Sequence, residues 1–296
     1  MELDLAFIWA GLIAFAILAY VVLDGFDLGV GILFPFLRTE QDRDTAMNSV
    51  APVWDGNETW LVLGGGGLYA VFPLAYATIL PALYAPLTAM LIGLIFRGVS
   101  FEFRWRTTRG KFLWDWGFTG GSLLATFAQG VTLGALVQGI HVVDRAYAGG
   151  WWDWLTPFSI VTGLALVAGY MLLGATWLVM KTEGDLRANA RDIAERAAIV
   201  TLLLIGGVSQ GLRDGNDAQP FLAALGLFVL CYIGIGISFY PYMVPPGITI
   251  WDAAAPDESL GFLLVGAAVL LPVILGYTAY AYWVFRGKVD PSEGYH

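Results

Sequence analysis

From Leu5 to about Leu33 the chain runs almost without polar residues, and apolar runs of this kind return seven more times before residue 286. About 20 apolar residues make a helix long enough to cross a ~30 Å hydrocarbon core, and a helix satisfies its own backbone hydrogen bonds, as lipid requires. The expected fold is therefore all-α and polytopic, with about eight transmembrane helices arranged as two four-helix bundles. Composition agrees: 58% of residues are hydrophobic, 13% are charged, and the mean hydropathy is +0.69. We expect a single integral membrane domain over 1–296, divided by hydropathy into a first bundle (1–145) and a second (150–290), with no convincing repeat between them.

The net charge of −9 does not identify acidic or basic partners, because in a membrane protein the loop that carries each charge is what matters. Loops after the first, third and fifth runs hold Arg38, Arg43, Arg97, Arg104, Arg106, Arg109, Lys111, Lys181, Arg187, Arg191 and Arg196, whereas those after the second, fourth and sixth hold only Arg145 and Arg213. Excess Lys and Arg marks the cytoplasmic side, so the N terminus is expected outside, and eight alternating spans would carry Arg286 and Lys288 outside as well. The opening MELDLAF leads into a run too long for a signal h-region, so no cleavable signal is expected. A lone Cys231 excludes an internal disulfide, a CxxC pair and a multi-cysteine cluster. Nothing suggests nucleic acid binding.

Within the runs, Gly64 to Gly67 imply close packing or local unwinding, tolerable only against other protein. Pro73, Pro81 and Pro86 punctuate the turn into the third run. Residues 181–196 carry four positive and four negative charges at helical spacing and read as a solvated extension. The sixth run, Ala197 to Val208, makes only about 18 Å of helix, too short to span alone.

Two carboxylates interrupt the first run, in VVLDGFDLGVG from Val21 to Gly31. An ionised acid at membrane depth costs at least a few kcal/mol. At i, i+3 spacing Asp24 and Asp27 share one helix face, and Gly25, Gly29 and Gly31 let a neighbour approach closely. Trp-Asp recurs at Trp54-Asp55, Trp114-Asp115, Trp152-Asp153 and Trp251-Asp252, each near the start of an apolar run. There an interfacial Trp and a first-turn Asp cap account for Asp115, Asp153 and Asp252. Asp55 differs, since Glu58 follows it at i+3. The pairs Asp24/Asp27 and Asp55/Glu58 flank one loop, and antiparallel spans would gather all four acids at the cytoplasmic end. Such a cluster can relay protons, or Arg97 can neutralise one acid within a structural set. Glu102, beside Arg104, reads as a member of an interfacial ion pair.

The two histidines, His141 and His296, form no pair at ligand spacing, so no haem or metal site is drawn on this chain. Phosphate-loop and GxSxG motifs are absent, which argues against an enzyme acting alone.

Six blocks in order carry a resemblance: LDGFDLGVG (23–31), APVWDGNETWLV (51–62), FRGVSFEFR (96–104), WDWGF (114–118), GYMLLGATWLVMKTEG (169–184), and YPYMVPPGITIWDAAAP with PVILGYTAYAYWVFRGKV toward the C-terminal end. Together they closely resemble subunit II of the cytochrome bd-type quinol oxidases, including the cyanide-insensitive branch. The resemblance implies a respiratory complex in a bacterial cytoplasmic (inner) membrane whose partner, subunit I, holds two b-type haems, one d-type haem and the quinol site. Oxygen would be reduced to water with cytoplasmic protons, generating a proton motive force without pumping. Subunit II would ligate no haem, hold a structural quinone in some members, and face lipid, subunit I and, in some complexes, a small single-span accessory subunit. Matched by position, Asp24, Asp27 and Asp55, with Glu58 beside them, would shape a proton path, while Arg97, Asp115, Trp54 and Asp252 would support assembly. One departure is the connection near 208–220, which is shorter than family members generally have. Rival readings are a pure assembly scaffold and a proton-coupled transporter, the latter suggested by the buried acids and Gly64 to Gly67.

Overall fold

The computed structural model of the protein describes residues 3–200 and 218–289. Helices dominate them: α1 (Leu5–Leu33), α2 (Glu40–Val50), α3 (Trp54–Val71), α4 (Pro73–Ala82), α5 (Tyr84–Arg106), α6 (Lys111–Gln138), α7 (Pro157–Lys181), α8 (Gly184–Val200), α9 (Gln219–Phe239), the one-turn α10 (Ile250–Ala253) and α11 (Asp257–Val284). Two short antiparallel hairpins, β1 (Val142–Val143) with β2 (Ala146–Tyr147) and β3 (Tyr242–Val244) with β4 (Ile248–Thr249), close the loops at the end away from the basic residues.

Four of the helices start where the sequence supplies a side-chain cap. Asp4 Oδ1 accepts from Phe7 N at 2.9 Å to open α1, and reciprocal capping boxes open α2 (Thr39 with Asp42), α7 (Thr156 with Ser159) and α10 (Thr249 with Asp252). Pro157 and Pro220 sit at first-turn positions, where a missing N–H costs nothing. Gly110, at φ +84°, makes the left-handed step into α6 that a side chain would resist.

Among the described residues six helices are long and apolar enough to cross a membrane, and α3 with α4 forms a seventh candidate, bent by 119°. That bend corrects the expectation of unwinding at Gly64 to Gly67: α3 is helical through all four glycines, and the break comes at Phe72, before Pro73. A proline removes an N–H and clashes with the preceding turn, whereas glycines only lose entropy and can stay helical when packed. Gly64 is held this way, with the Ile17 side chain against it, and Gly65 and Gly66 face open space. The short sixth run falls mostly outside the described residues. Its flanks are informative, because Phe221 at the start of α9 packs on Trp177 near the end of α7, with ring centroids 5.3 Å apart. The connection from α7 to α9 thus begins and ends at the same side.

The C-terminal end of α11 returns to the basic end too, contrary to the placement expected from eight alternating spans. Lys181 Nζ donates to the carbonyls of Phe285 and Gly287, Lys288 Nζ donates to Thr182 O at 3.2 Å, and Val289 N donates to Lys181 O at 2.8 Å. Arg286 and Lys288 therefore lie with the other basic residues.

Small residues bring the central helices together. On Gly29 a Cβ would overlap the Tyr170 carbonyl, and Gly174 meets the backbone of Gly29 and Val30, so α1 and α7 touch backbone to backbone. Gly93 and Gly121 do the same for α5 and α6. One apolar core includes Phe26 and Leu33 of α1, Phe101 of α5, Phe118 of α6, Leu173 and Trp177 of α7, and Phe221 of α9.

Candidate functional site

The first turn of α3, the last third of α1 and the middle of α5 converge at the basic end. Arg97, buried without exposure, reaches Asp24 Oδ1 at 3.0 Å and Asp27 Oδ2 at 3.7 Å through its two terminal nitrogens, and its Nη1 also donates to Glu58 Oε1. Asp24 and Asp27 are likewise buried without exposure, while the Glu58 side chain remains 24% exposed. Three carboxylates share one guanidinium, a charge imbalance that burial penalises and a bound proton relieves. Among the described residues both Asp24 oxygens, Asp27 Oδ1 and Arg97 Nε and Nη2 lack a hydrogen bond, so the cluster is incompletely satisfied.

The glycines of the first run are used as the sequence suggests, Gly25 accommodating the Tyr170 ring beside the acids. Trp54 lies against the guanidinium, with Arg97 Cζ 5.7 Å from its ring centroid, and stacks with Phe101 at 4.9 Å between ring centroids. Asn57 donates to Asp27 Oδ2 at 2.7 Å and to Leu23 O at 3.3 Å, and accepts from Tyr282 OH at 3.0 Å.

Of the four expected acids, then, Asp24, Asp27 and Glu58 meet, and Asp55 does not join them: it points from the exposed side of α3. Exposed residues Asp55, Thr59, Val62, Gly66 and Tyr69 follow one another at steps of four and three, forming a single stripe. Arg97 contacts not one acid but three, and its single charge balances only one of them. Sequence reasoning gave no role to Asn57 or Tyr282; Asn57 stands between the two noted acids, but Tyr282 lies 225 residues away and left no local signal.

The remaining expectations divide. Asp115 is not a cap: α6 begins at Lys111, and Asp115 accepts from Arg104 Nε at 2.5 Å and faces Arg43 Nε at 3.5 Å. Arg104, fully buried, also donates to Asp44 at 2.6 Å, tying α2, α5 and α6. Asp153 does not cap α7, whose cap is Thr156; it accepts from Gly150 N at 2.8 Å inside the preceding loop. Asp252 caps as expected, and its carboxyl sits below the usual range because Thr249 donates to it. Glu102 forms its ion pair with Arg106 at 3.6 Å, one turn on, rather than with Arg104.

Fold and site define a class: a polytopic helical membrane protein that buries acids around an arginine at one end and, among the described residues, gathers no three His, Cys, Asp or Glu side chains able to hold a metal ion. The chain belongs to the cytochrome bd terminal oxidase subunit II family, whose model matches residues 5–212 and 197–285. It is 31% identical over 364 aligned positions to the cytochrome bd-I ubiquinol oxidase subunit 2 of Escherichia coli K12, covering 98% of this chain and 96% of that protein. It is 29% identical to the cytochrome bd ubiquinol oxidase subunit 2 of Bacillus subtilis, covering 97% of each. In structure it resembles a chain of the bd oxidase from Geobacillus thermodenitrificans, with a TM-score of 0.73, 17% identity, and 97% of this chain and 100% of that chain covered.

The E. coli alignment is longer than this 296-residue chain, and the two family matches overlap at 197–212, near the connection expected to be short. Most of that connection, 208–217, lies outside the described residues. The family implies a haem-bearing complex, and among the described residues the histidine, His141, is exposed in the loop after α6.

Proposed function

We propose that this protein is the non-haem-ligating subunit II of a bd-type quinol:oxygen oxidoreductase in a bacterial cytoplasmic membrane. It supports a subunit I that carries two b-type haems and one d-type haem, and its buried acids carry cytoplasmic protons toward the site of oxygen reduction. The observation that carries the relay is the meeting of Asp24, Asp27 and Glu58 on Arg97 inside membrane-spanning helices. A purely structural ion pair needs one acid for one arginine, and intramembrane ionisable residues are functional by default. Glu58 is the member nearest the open face, and the exposed Asp55 stripe, bare of bulk at Gly65 and Gly66, suits packing against a helix of subunit I. In this reading Trp54 and Arg97 hold the cluster, Asp115 and Asp252 hold helix ends, and the first (1–145) and second (150–290) bundles remain the working division. A structural quinone and an accessory subunit belong to the complex only where the branch carries them.

Two experiments test the reading. Purification of the complex through this chain should bring a chlorin and b-type haem absorption spectrum with it, and a haem-free preparation would contradict the assignment. Asp24→Asn should slow oxygen uptake per haem; loss of haem at normal turnover per remaining haem would favour the scaffold instead.

A further inference from the structure

The hydrogen bonds of Asn57, itself buried, decide more than its own placement. Its Nδ2 lies 3.3 Å from Leu23 O and 2.7 Å from Asp27 Oδ2, both on α1. A backbone carbonyl only accepts, so the edge of the amide turned to α1 is its NH2 edge whatever the protonation of Asp27, and both N–H groups are used there. The other edge, Oδ1, faces Tyr282, whose hydroxyl donates to it at 3.0 Å. An amide turned end for end would set its oxygen against two acceptor oxygens. The Tyr282 ring, on the last turn of α11, is seated edge-on against Phe26 and Trp177, with centroids 6.4 Å away in each case.

This order reaches the acid. A carboxylic acid accepts best through its carbonyl oxygen and carries its proton on the other. Asp27 Oδ2 is committed as an acceptor by Asn57, and Arg97 Nη2, 3.7 Å from the same oxygen, is a cation that disfavours a proton on it. The opposite oxygen, Oδ1, is buried and has no hydrogen bond among the described residues. We propose that Tyr282 and Asn57 form a lock that keeps Asp27 Oδ2 free of protons, so that Asp27 takes up and gives up its proton at Oδ1 alone. An amide is neither acid nor base at working pH, so Asn57 closes this side of Asp27 to proton traffic. The proposal rests on the proton-path reading above and deepens it by naming the oxygen that works. Asn57 and Tyr282 are positioning residues, and neither gains or loses a proton itself.

Tyr282→Phe tests the lock, because it keeps the ring against Phe26 and Trp177 and removes only the hydroxyl. In the intact complex it should keep haem content and Tm, and lower oxygen uptake per haem about fivefold, as loss of one buried hydrogen bond predicts. The spectroscopic readout is the carboxyl C=O stretch in reduced-minus-oxidised infrared difference spectra, assigned to Asp27 by its loss in Asp27→Asn. Tyr282→Phe should move that band, since the carbonyl oxygen loses its fixed amide, whereas a packing role would leave it in place. Asn57→Leu should lower turnover by a similar factor, and Tyr282→Phe added to it should cost no more, because the tyrosine acts only through the amide. With Asp27→Asn slowing turnover, the lock is overturned and the path stands if the Asp27 band is absent, if it stays put in Tyr282→Phe, or if the double variant shows a second fall of the same size. Unchanged turnover in Asp27→Asn refutes the path through Asp27, and with it the part of the lock in turnover, whatever the band does.

Discussion

Arg97 shows how far a single residue organises this chain. It sits in the membrane part of α5 with no exposure and touches acids from two other helices. Removing one partner of a buried ionic set leaves uncompensated charge, so Arg97→Met should destabilise the folded chain by about 3–5 kcal/mol. Combining it with Asp24→Asn and Asp27→Asn should restore part of the loss, measured by Tm and by yield of assembled complex. A triple variant no better than Arg97→Met would mean that the arginine acts by packing alone. Much of this site was legible, since acids at i, i+3 in an apolar run advertise themselves. What the sequence could not give was the pairing: Asp55 and Glu58 differ by less than a helical turn, yet only Glu58 turns inward, because the orientation of α3 is set by Ile17 against Gly64 and by Trp54 on Phe101.

At the scale of elements, close helix approach and end-to-end pins do the holding. Gly29→Ala would drive a methyl into the Tyr170 carbonyl and should cost about 1–3 kcal/mol or more, seen as a lower Tm. Gly65→Ala meets nothing within 4 Å in this chain and should stabilise the isolated subunit by about 0.5–1 kcal/mol, while the same methyl would hinder a helix packed on that stripe. Helix α2 is pinned to α6 by Lys111 Nζ donating to Glu40 Oε1 at 2.6 Å, and this bond with the lysine charge holds the Glu40 carboxyl below its usual range. A carboxyl with a depressed folded value contributes stability above its unfolded value of about 4.3, and loses it as pH falls through the folded value. The Tm difference between the protein and Glu40→Gln should therefore be present at pH 7 and vanish on acidification below about pH 4, by a small amount because the pair is exposed. The turn between α3 and α4 was legible as Pro73, whereas the glycine run left close packing and unwinding both open, and α3 stays helical through it with Gly64 against Ile17.

For the whole molecule, the spans themselves were legible from hydropathy: six, with α3 and α4 as a bent seventh, lie among the described residues. Charge counting gathered the basic loops at one end but, by alternating eight spans, sent the C-terminal residues to the other. The Lys181 clasp on α11, a contact between residues more than a hundred positions apart, has no local sequence signature. With Cys231 replaced by Ser, cysteines introduced at Gly184 and Gly287 should react with a membrane-impermeant thiol reagent from the same side, and one at Gly247 from the opposite side. Labelling of Gly287→Cys together with Gly247→Cys would contradict the described return of α11.

The central claim is that acids buried in this chain deliver protons to chemistry in its partner. Its most direct test is Glu58→Gln in the purified complex, with proton uptake followed by a pH indicator as the fully reduced enzyme meets oxygen. With haem content intact, we predict that proton uptake slows at least tenfold and that oxygen reduction slows with it; uptake at the unaltered rate would contradict the account.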